Sequence, residues 1–192
     1  MWLHIIPVSV PANSIIEYDI SPKPAEDFEV RISVFNTLDI KAQDVEGTSD
    51  IYVRAFFDSN DAKETDTHYR CTNGKASFNY RLIFPFQHPR KNQNYNLSLQ
   101  LYDRDFFKSN DLIGDAILNI QMPIEDVSIS KRPLKLTKQY YEKYLLKKQP
   151  ELKLEFKDDT TFYLPVRQRD PKTGEVSAEG KIRIQLDILL KN

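Results

Sequence analysis

Apolar residues recur at every second position in three long stretches of the chain: Phe28, Val30, Ile32 and Val34; Tyr95, Leu97, Leu99 and Leu101; and Ile182, Ile184, Leu186, Ile188 and Leu190. Successive side chains of a β-strand point to opposite faces, so a period of two predicts strands with one buried face. Shorter runs rich in β-branched and aromatic residues, at 51–57, 78–84, 112–120 and 160–166, extend the pattern. Asn73-Gly74 stands between two such runs and predicts a tight turn, because both residues accept positive φ. Several short strands at this spacing predict an all-β, antiparallel sandwich.

Three segments depart from the alternation. Residues 1–27 contain Pro7, Pro11, Pro22 and Pro24, which predicts an extended N-terminal arm with a short strand around 2–10. Residues 121–159 read as an insertion within a single domain spanning 28–192. In it Pro123 and Pro133 break the chain before Thr137 caps a helix over 137–148. That helix would gather Tyr140, Tyr141, Tyr144 and Leu145 on one buried face and leave its lysines outside. Residues 167–180, with Pro171, Gly174 and Gly180, predict a polar loop before the last strand.

Composition narrows the function classes. The 27 basic and 28 acidic residues nearly cancel, giving a net charge of −1, so no global basic field favours nucleic acid. The single cysteine, Cys71, excludes an internal disulfide and reads as a small packing residue in a reducing compartment. No apolar run reaches the length of a membrane span. Enzymatic signatures are missing: there is no G-x-S-x-G or phosphate-cradling G-x-x-x-x-G-K-[ST] segment. His4, His68 and His88 are far apart in the sequence and lack cysteine pairs, which argues against zinc. The expectation is a binding module rather than an enzyme.

The informative residues sit where strands end. One loop carries Asp44 and ends at Asp50; a second runs Asp103-Arg104-Asp105-Phe106-Phe107-Lys108-Ser109-Asn110-Asp111. Hard cations such as calcium require about six to eight oxygen ligands, which carboxylates on a rigid β framework supply. Two carboxylates about 4 Å apart repel by a few kcal/mol at an effective dielectric near 20, so five together make sense mainly around cations. Asp44, Asp50, Asp103, Asp105 and Asp111 are therefore candidate calcium ligands, although any single loop-tip aspartate is ordinarily just solvated. A helix-loop-helix calcium hand is excluded, since it would require glycine at Lys108 and glutamate at Gly114.

At these residues a resemblance becomes specific. The run Gly47-Thr48-Ser49-Asp50-Ile51-Tyr52-Val53-Arg54, and the run from Asp103-Arg104-Asp105 to Asp111-Leu112-Ile113-Gly114, resemble the two calcium-loop signatures of C2 domains. Glu64-Thr65-Asp66-Thr67-His68-Tyr69, the run from Phe78 to Phe86, Ile20-Ser21-Pro22-Lys23-Pro24 and Gly180-Lys181-Ile182-Arg183-Ile184 resemble the membrane-proximal C2 domains of ferlins. The resemblance implies an eight-stranded antiparallel C2 sandwich with calcium as its cofactor. Ferlins resemble strings of C2 domains ending in a membrane anchor, whereas this chain reads as one domain without one. The usual C2 proline after the second aspartate of the first loop is Ile51 here.

The same resemblance implies membrane contact through apolar residues beside the ligands, here Val45 and Phe107, with Phe106 and Lys108 adjoining them. Calcium would cancel the repulsion between aspartates and anionic phospholipid, and the apolar tips would gain burial. A cationic patch is also foreseen at Lys131, Arg132, Lys135, Lys138, Lys143, Lys147 and Lys148, although lysines on a helix are commonly only its solvated face. The leading expectation is calcium-dependent docking to an anionic phospholipid membrane. The rival is a structural or protein-interaction module within a larger assembly, with calcium incidental or regulatory. Either way the expected setting is cytoplasmic, at a membrane surface or within a cytoskeletal or ciliary assembly.

Overall fold

The computed structural model describes residues 21, 24–41, 48–105, 109–170 and 173–191. The foreseen strand at 2–10 and most of the N-terminal arm lie outside them. The chain lays down β1 (Glu26–Leu38), β2 (Thr48–Phe56), β3 (Lys63–Glu64), β4 (His68–Thr72), β5 (Ser77–His88), β6 (Asn96–Asp103) and β7 (Asp111–Asn119). Helix α1 (Gln121–Ser130), β8 (Leu134–Lys135), α2 (Lys138–Tyr140), a π-helical stretch (Tyr141–Leu145), α3 (Leu146–Lys148) and β9 (Glu155–Phe156) follow. The chain closes with β10 (Phe162–Arg169) and β11 (Val176–Leu190).

Eight strands form one hydrogen-bonded path in the order β3-β2-β6-β7-β10-β11-β1-β5, with β4, β8 and β9 attached to its side. Every pairing is antiparallel, as the alternation predicts. The path folds into two layers at the β7–β10 join, which pairs only Arg167 with Asp115 and Gln168 with Gly114. Glycine is required there: a Cβ on Gly114 would lie 2.4 Å from the carbonyl oxygen of Arg167. Between the layers lies one core, in which Phe28, Val30, Ile32, Leu97, Leu99, Leu101, Ile182, Ile184, Leu186 and Ile188 are fully buried. These are the alternating residues, so the period of two is the inward face of the sandwich. Each such side chain contributes about 1.5–3 kcal/mol of burial. Cys71 is buried among them, and Asn73 and Gly74 both adopt positive φ in the turn before β5.

The insertion differs from its expected form. Pro123 does not break the chain but lies in the first turn of α1, where a proline's missing N–H loses nothing. Asn119 supplies the missing cap, its side-chain oxygen accepting from the backbone N–H of Gln121 at 3.0 Å. Ile124 and Val127 of α1 are fully buried. The second helix begins where Thr137 predicts: its hydroxyl accepts from the Tyr140 N–H at 3.2 Å. The four residues expected on one buried face divide, however. Tyr141 and Leu145 are buried, whereas Tyr140 is half-buried and Tyr144 exposed. The core takes only the 141/145 rail, and the 140/144 rail lies at the margin, where the Tyr140 hydroxyl donates to Asp126.

The polar loop expected over 167–180 shrinks to the link between Arg169 and Val176, because β10 and β11 extend toward each other across a bulge between Val166 and Gln168. Gly180 is a strand residue opposite Val166, close against Ile40 and Gln168.

Candidate functional site

Asp50 lies in β2, Asp103 ends β6 and Asp111 begins β7, and these three strands are neighbours. In register, Ile51 faces Asp103 and Asp103 faces Asp111, so the three aspartates share one end of the sandwich. Adjacent strands are about 4.8 Å apart, which spaces the outer two backbones by roughly 10 Å. Asp103 continues the inward parity of Leu97, Leu99 and Leu101 and is only 4% exposed. Asp111 is exposed and Asp50 intermediate.

Backbone donors orient these carboxylates. The N–H of Asp50 donates to Asp103 Oδ1 at 2.7 Å, and the N–H of Arg70 donates to Asp50 Oδ1 at 2.7 Å. The N–H of Arg104 donates to the Asp50 carbonyl at 2.9 Å, stitching the second loop to β2. Asp105 follows two residues after the end of β6. Asp44 and Val45 of the first loop, and Phe106, Phe107 and Lys108 of the second, lie outside the described residues.

Residues not foreseen from the sequence hold both loops. Asn110 bridges the second: its Oδ1 accepts from the Asp105 N–H at 3.1 Å, and its Nδ2 donates to Tyr52 Oη at 2.9 Å. The Arg104 guanidinium lies over the Tyr52 ring, 4.5 Å from its centre, and reaches Glu64 at 3.7 Å. Tyr52 in turn stacks on Tyr102 at 5.5 Å. Burial beneath this layer pushes the Tyr52 hydroxyl pKa up. Gln168, 1% exposed, anchors the start of the first loop by donating to the Asp39 carbonyl at 3.1 Å and accepting from the Lys41 N–H at 3.0 Å. Lys41 also pairs with Asp170 at 3.3 Å. The asparagine in the loop run Ser109-Asn110-Asp111 was a usable signal, since such side chains cap nearby backbone. Nothing local marks Gln168, whose partners are 127 and 129 residues away.

The donors at this end are carboxylate oxygens, the kind hard cations require. Among the described residues, no three histidine, cysteine, aspartate or glutamate side chains converge as a metal site. Carboxylate donors of this kind fit calcium.

The cationic residues lie elsewhere. Lys131, Arg132, Lys135, Lys138, Lys143, Lys147 and Lys148 are all exposed. Lys131 pairs with Glu26, Lys135 with Asp187 at 3.8 Å, and Lys138 with Glu142 at 3.9 Å. Lys135 faces Asp187, which faces Arg31 near the middle of β1, while the first acidic loop begins beyond Leu38 at the end of that strand. At roughly 3.3 Å per residue, Lys135 is about 23 Å from the acidic end along the strand. No helix among the described residues is long and apolar enough to cross a membrane.

Comparison with known proteins agrees with this architecture. The model of the C2 domain family matches residues 28–136. Fer-1-like protein 4 of Mus musculus is 30% identical over 150 residues, covering 64% of this chain and 7% of its own length. Myoferlin of Xenopus tropicalis is 29% identical over 146 residues, covering 62% of the chain and 8% of its own. The chain therefore spans a small part of these curated relatives. Among solved structures, a C2 domain of plant Extended Synaptotagmin 1 aligns with a TM-score of 0.51 at 17% identity, over 85% of this chain and 93% of that one. The paired C2 domains of Extended-Synaptotagmin 2, calcium bound, align with a TM-score of 0.50 at 18% identity, over 84% and 45%.

Proposed function

The chain belongs to the C2 domain family, and from that premise we propose that it is a non-enzymatic module that docks on anionic phospholipid surfaces with calcium held by Asp44, Asp50, Asp103, Asp105 and Asp111. The observation that carries this reading is the common edge of Asp50, Asp103 and Asp111, with the buried Asp103 carboxylate held by the Asp50 N–H. Carboxylates set side by side repel one another, and a resident cation is what makes the arrangement favourable. The likeness to calcium-bound Extended-Synaptotagmin 2 carries the fold; the calcium reading rests on this chain's own carboxylates.

Each part of the chain then has a physical task. Backbone donors from Asp50 and Arg70 aim the Asp103 and Asp50 carboxylates. Asn110 and Tyr52 fix the described ends of the second loop, and Gln168 fixes the start of the first. When bound, calcium supplies positive charge that removes the repulsion between this edge and lipid phosphates. Val45, Phe106 and Phe107 would then bury apolar surface in the bilayer interface, with Lys108 near the phosphates.

Isothermal titration with calcium tests the first half: the parent protein gives binding heat, and Asp103→Asn with Asp105→Asn loses it. Sedimentation with phosphatidylserine vesicles tests the second: the protein pellets with calcium and stays in the supernatant with chelator. A parent protein that gives no calcium heat ends the metal reading; one that binds calcium but never pellets ends the membrane reading.

A further inference from the structure

The insertion forms a second concave surface, remote from the acidic edge. A cleft of about 320 Å³ opens between the segment 133–135 and the start of the second helix, with Tyr140, Lys143 and Tyr144 as its other wall. Tyr140 and Tyr144 pack with ring centres 5.3 Å apart and ring planes tilted by 46°, and the Lys143 ammonium lies 5.0 Å from the centre of the Tyr144 ring. Tyr144 is 42% exposed. Lys135 stands on the opposite side, its side chain 49% exposed.

Two features separate this surface from an ordinary solvated helix face. The first is charge: residues 131–148 carry seven cationic residues against one acidic residue, Glu142, in a chain whose net charge is −1. Glu26, Asp187 and Glu142 pair with Lys131, Lys135 and Lys138, and Arg132, Lys143, Lys147 and Lys148 add four further exposed cations, so a positive excess remains. The second is rigidity. The Tyr140 hydroxyl donates to Asp126 of α1, and the Tyr141 hydroxyl donates to the Leu152 carbonyl at 2.7 Å, fixing the helix that carries the wall. A cationic cleft walled in part by tyrosine rings and with a prearranged shape is suited to a charged chain that also carries a side chain to bury.

We propose that this cleft binds an acidic polypeptide segment of a partner protein, with carboxylates against Lys135 and Lys143 and an apolar or aromatic side chain against Tyr144. A polypeptide fits better than a bilayer. The surface is concave, so a flat membrane meets its rim rather than its walls. Its Lys135 is level with Arg31, near the middle of β1 and about 23 Å along the strand from the acidic end, so a protein docked by those loops holds it back from that membrane. The proposal does not depend on calcium.

The test is fluorescence anisotropy of a labelled glutamate–tyrosine copolymer peptide at low salt, in chelator. Binding by the parent is expected, weakening as salt rises. Lys135→Ala with Lys143→Ala is expected to bind about tenfold more weakly, whereas Lys147→Ala with Lys148→Ala, which removes the same charge outside the cleft, changes affinity by less than about threefold. Tyr144→Ala weakens binding with the charge unchanged. All these side chains are exposed, and circular dichroism checks that each variant is folded. No binding by the parent, or equal loss in the two lysine pairs, overturns the proposal. So does tighter binding of phosphatidylserine vesicles than of the peptide in chelator, lost with Lys135 and Lys143, which would assign the cleft to lipid.

Discussion

Asp103 separates a structural role from a metal-binding one, because its two substitutes break different things. Asp103→Asn keeps an oxygen for the Asp50 N–H but removes a charge that faces Asp111 across adjacent strands. At about 5 Å, two carboxylates repel by about 1–3 kcal/mol for effective dielectrics between 80 and 20, and the exposure of Asp111 favours the lower figure. Replacing a charge-assisted hydrogen bond by a neutral one costs about 1 kcal/mol, so the two effects nearly cancel. In chelator, Asp103→Asn should lie within about 1 kcal/mol of the parent. Asp103→Ala relieves the same repulsion but strips the Asp50 N–H of its partner, a loss of about 1–3 kcal/mol, and should fall up to about 2 kcal/mol below the parent. Calcium reverses the comparison: at a hundred times the dissociation constant the parent gains about 2.7 kcal/mol, which is about 5–11 °C in Tm for a domain of this size. Thermal unfolding in chelator and in calcium reads all four quantities. Equal stability of the two variants in chelator refutes the structural role of the Asp50 hydrogen bond, and equal calcium stabilisation of Asp103→Asn and the parent refutes the metal role.

Three further perturbations probe the frame. The Thr161 hydroxyl, together with the backbone N–H groups of Thr160 and Thr161, holds the Asp158 carboxylate down to about 2, well below its usual 3.8. Its stabilising effect is therefore present above pH 3.8 and is lost as pH falls toward 2, so the Tm gap between the parent and Asp158→Ala should narrow over that window in a pH series. Thr137→Ala removes the cap on the second helix and should cost about 1 kcal/mol in urea unfolding, with Thr137→Ser close to the parent. Gly114→Ala drives a Cβ against the Arg167 carbonyl oxygen, and should cost at least about 1–3 kcal/mol by forcing β7 from β10; an unchanged urea midpoint would show that the join yields freely.

The strands were legible because alternation is a property of the local backbone. Phe28 to Val34, Leu97 to Leu101 and Ile182 to Ile188 all supply core residues at every second position. Helix α1 was not, because Pro123 is the same residue whether it breaks a chain or opens a helix; what decides is the cap from Asn119 and the burial of Ile124 and Val127. The polar stretch 167–180 was misleading for a related reason. Gly180 and Gln168 read as loop residues, yet one provides close approach and the other a buried amide that ties distant backbone together.

By itself, then, the chain's sequence determined an antiparallel β framework, aspartates at its strand ends and a cationic insertion, since each follows from periodicity or spacing within a few neighbouring residues. Only the tertiary structure decided that Asp50, Asp103 and Asp111 share one edge, that Asn110 and Gln168 brace the described ends of the loops beside them, and that the cationic cleft lies level with the middle of β1, away from that edge. The physical reason is that facing direction is set residue by residue, by the geometry of the extended chain, whereas adjacency is set by the register between strands tens of residues apart.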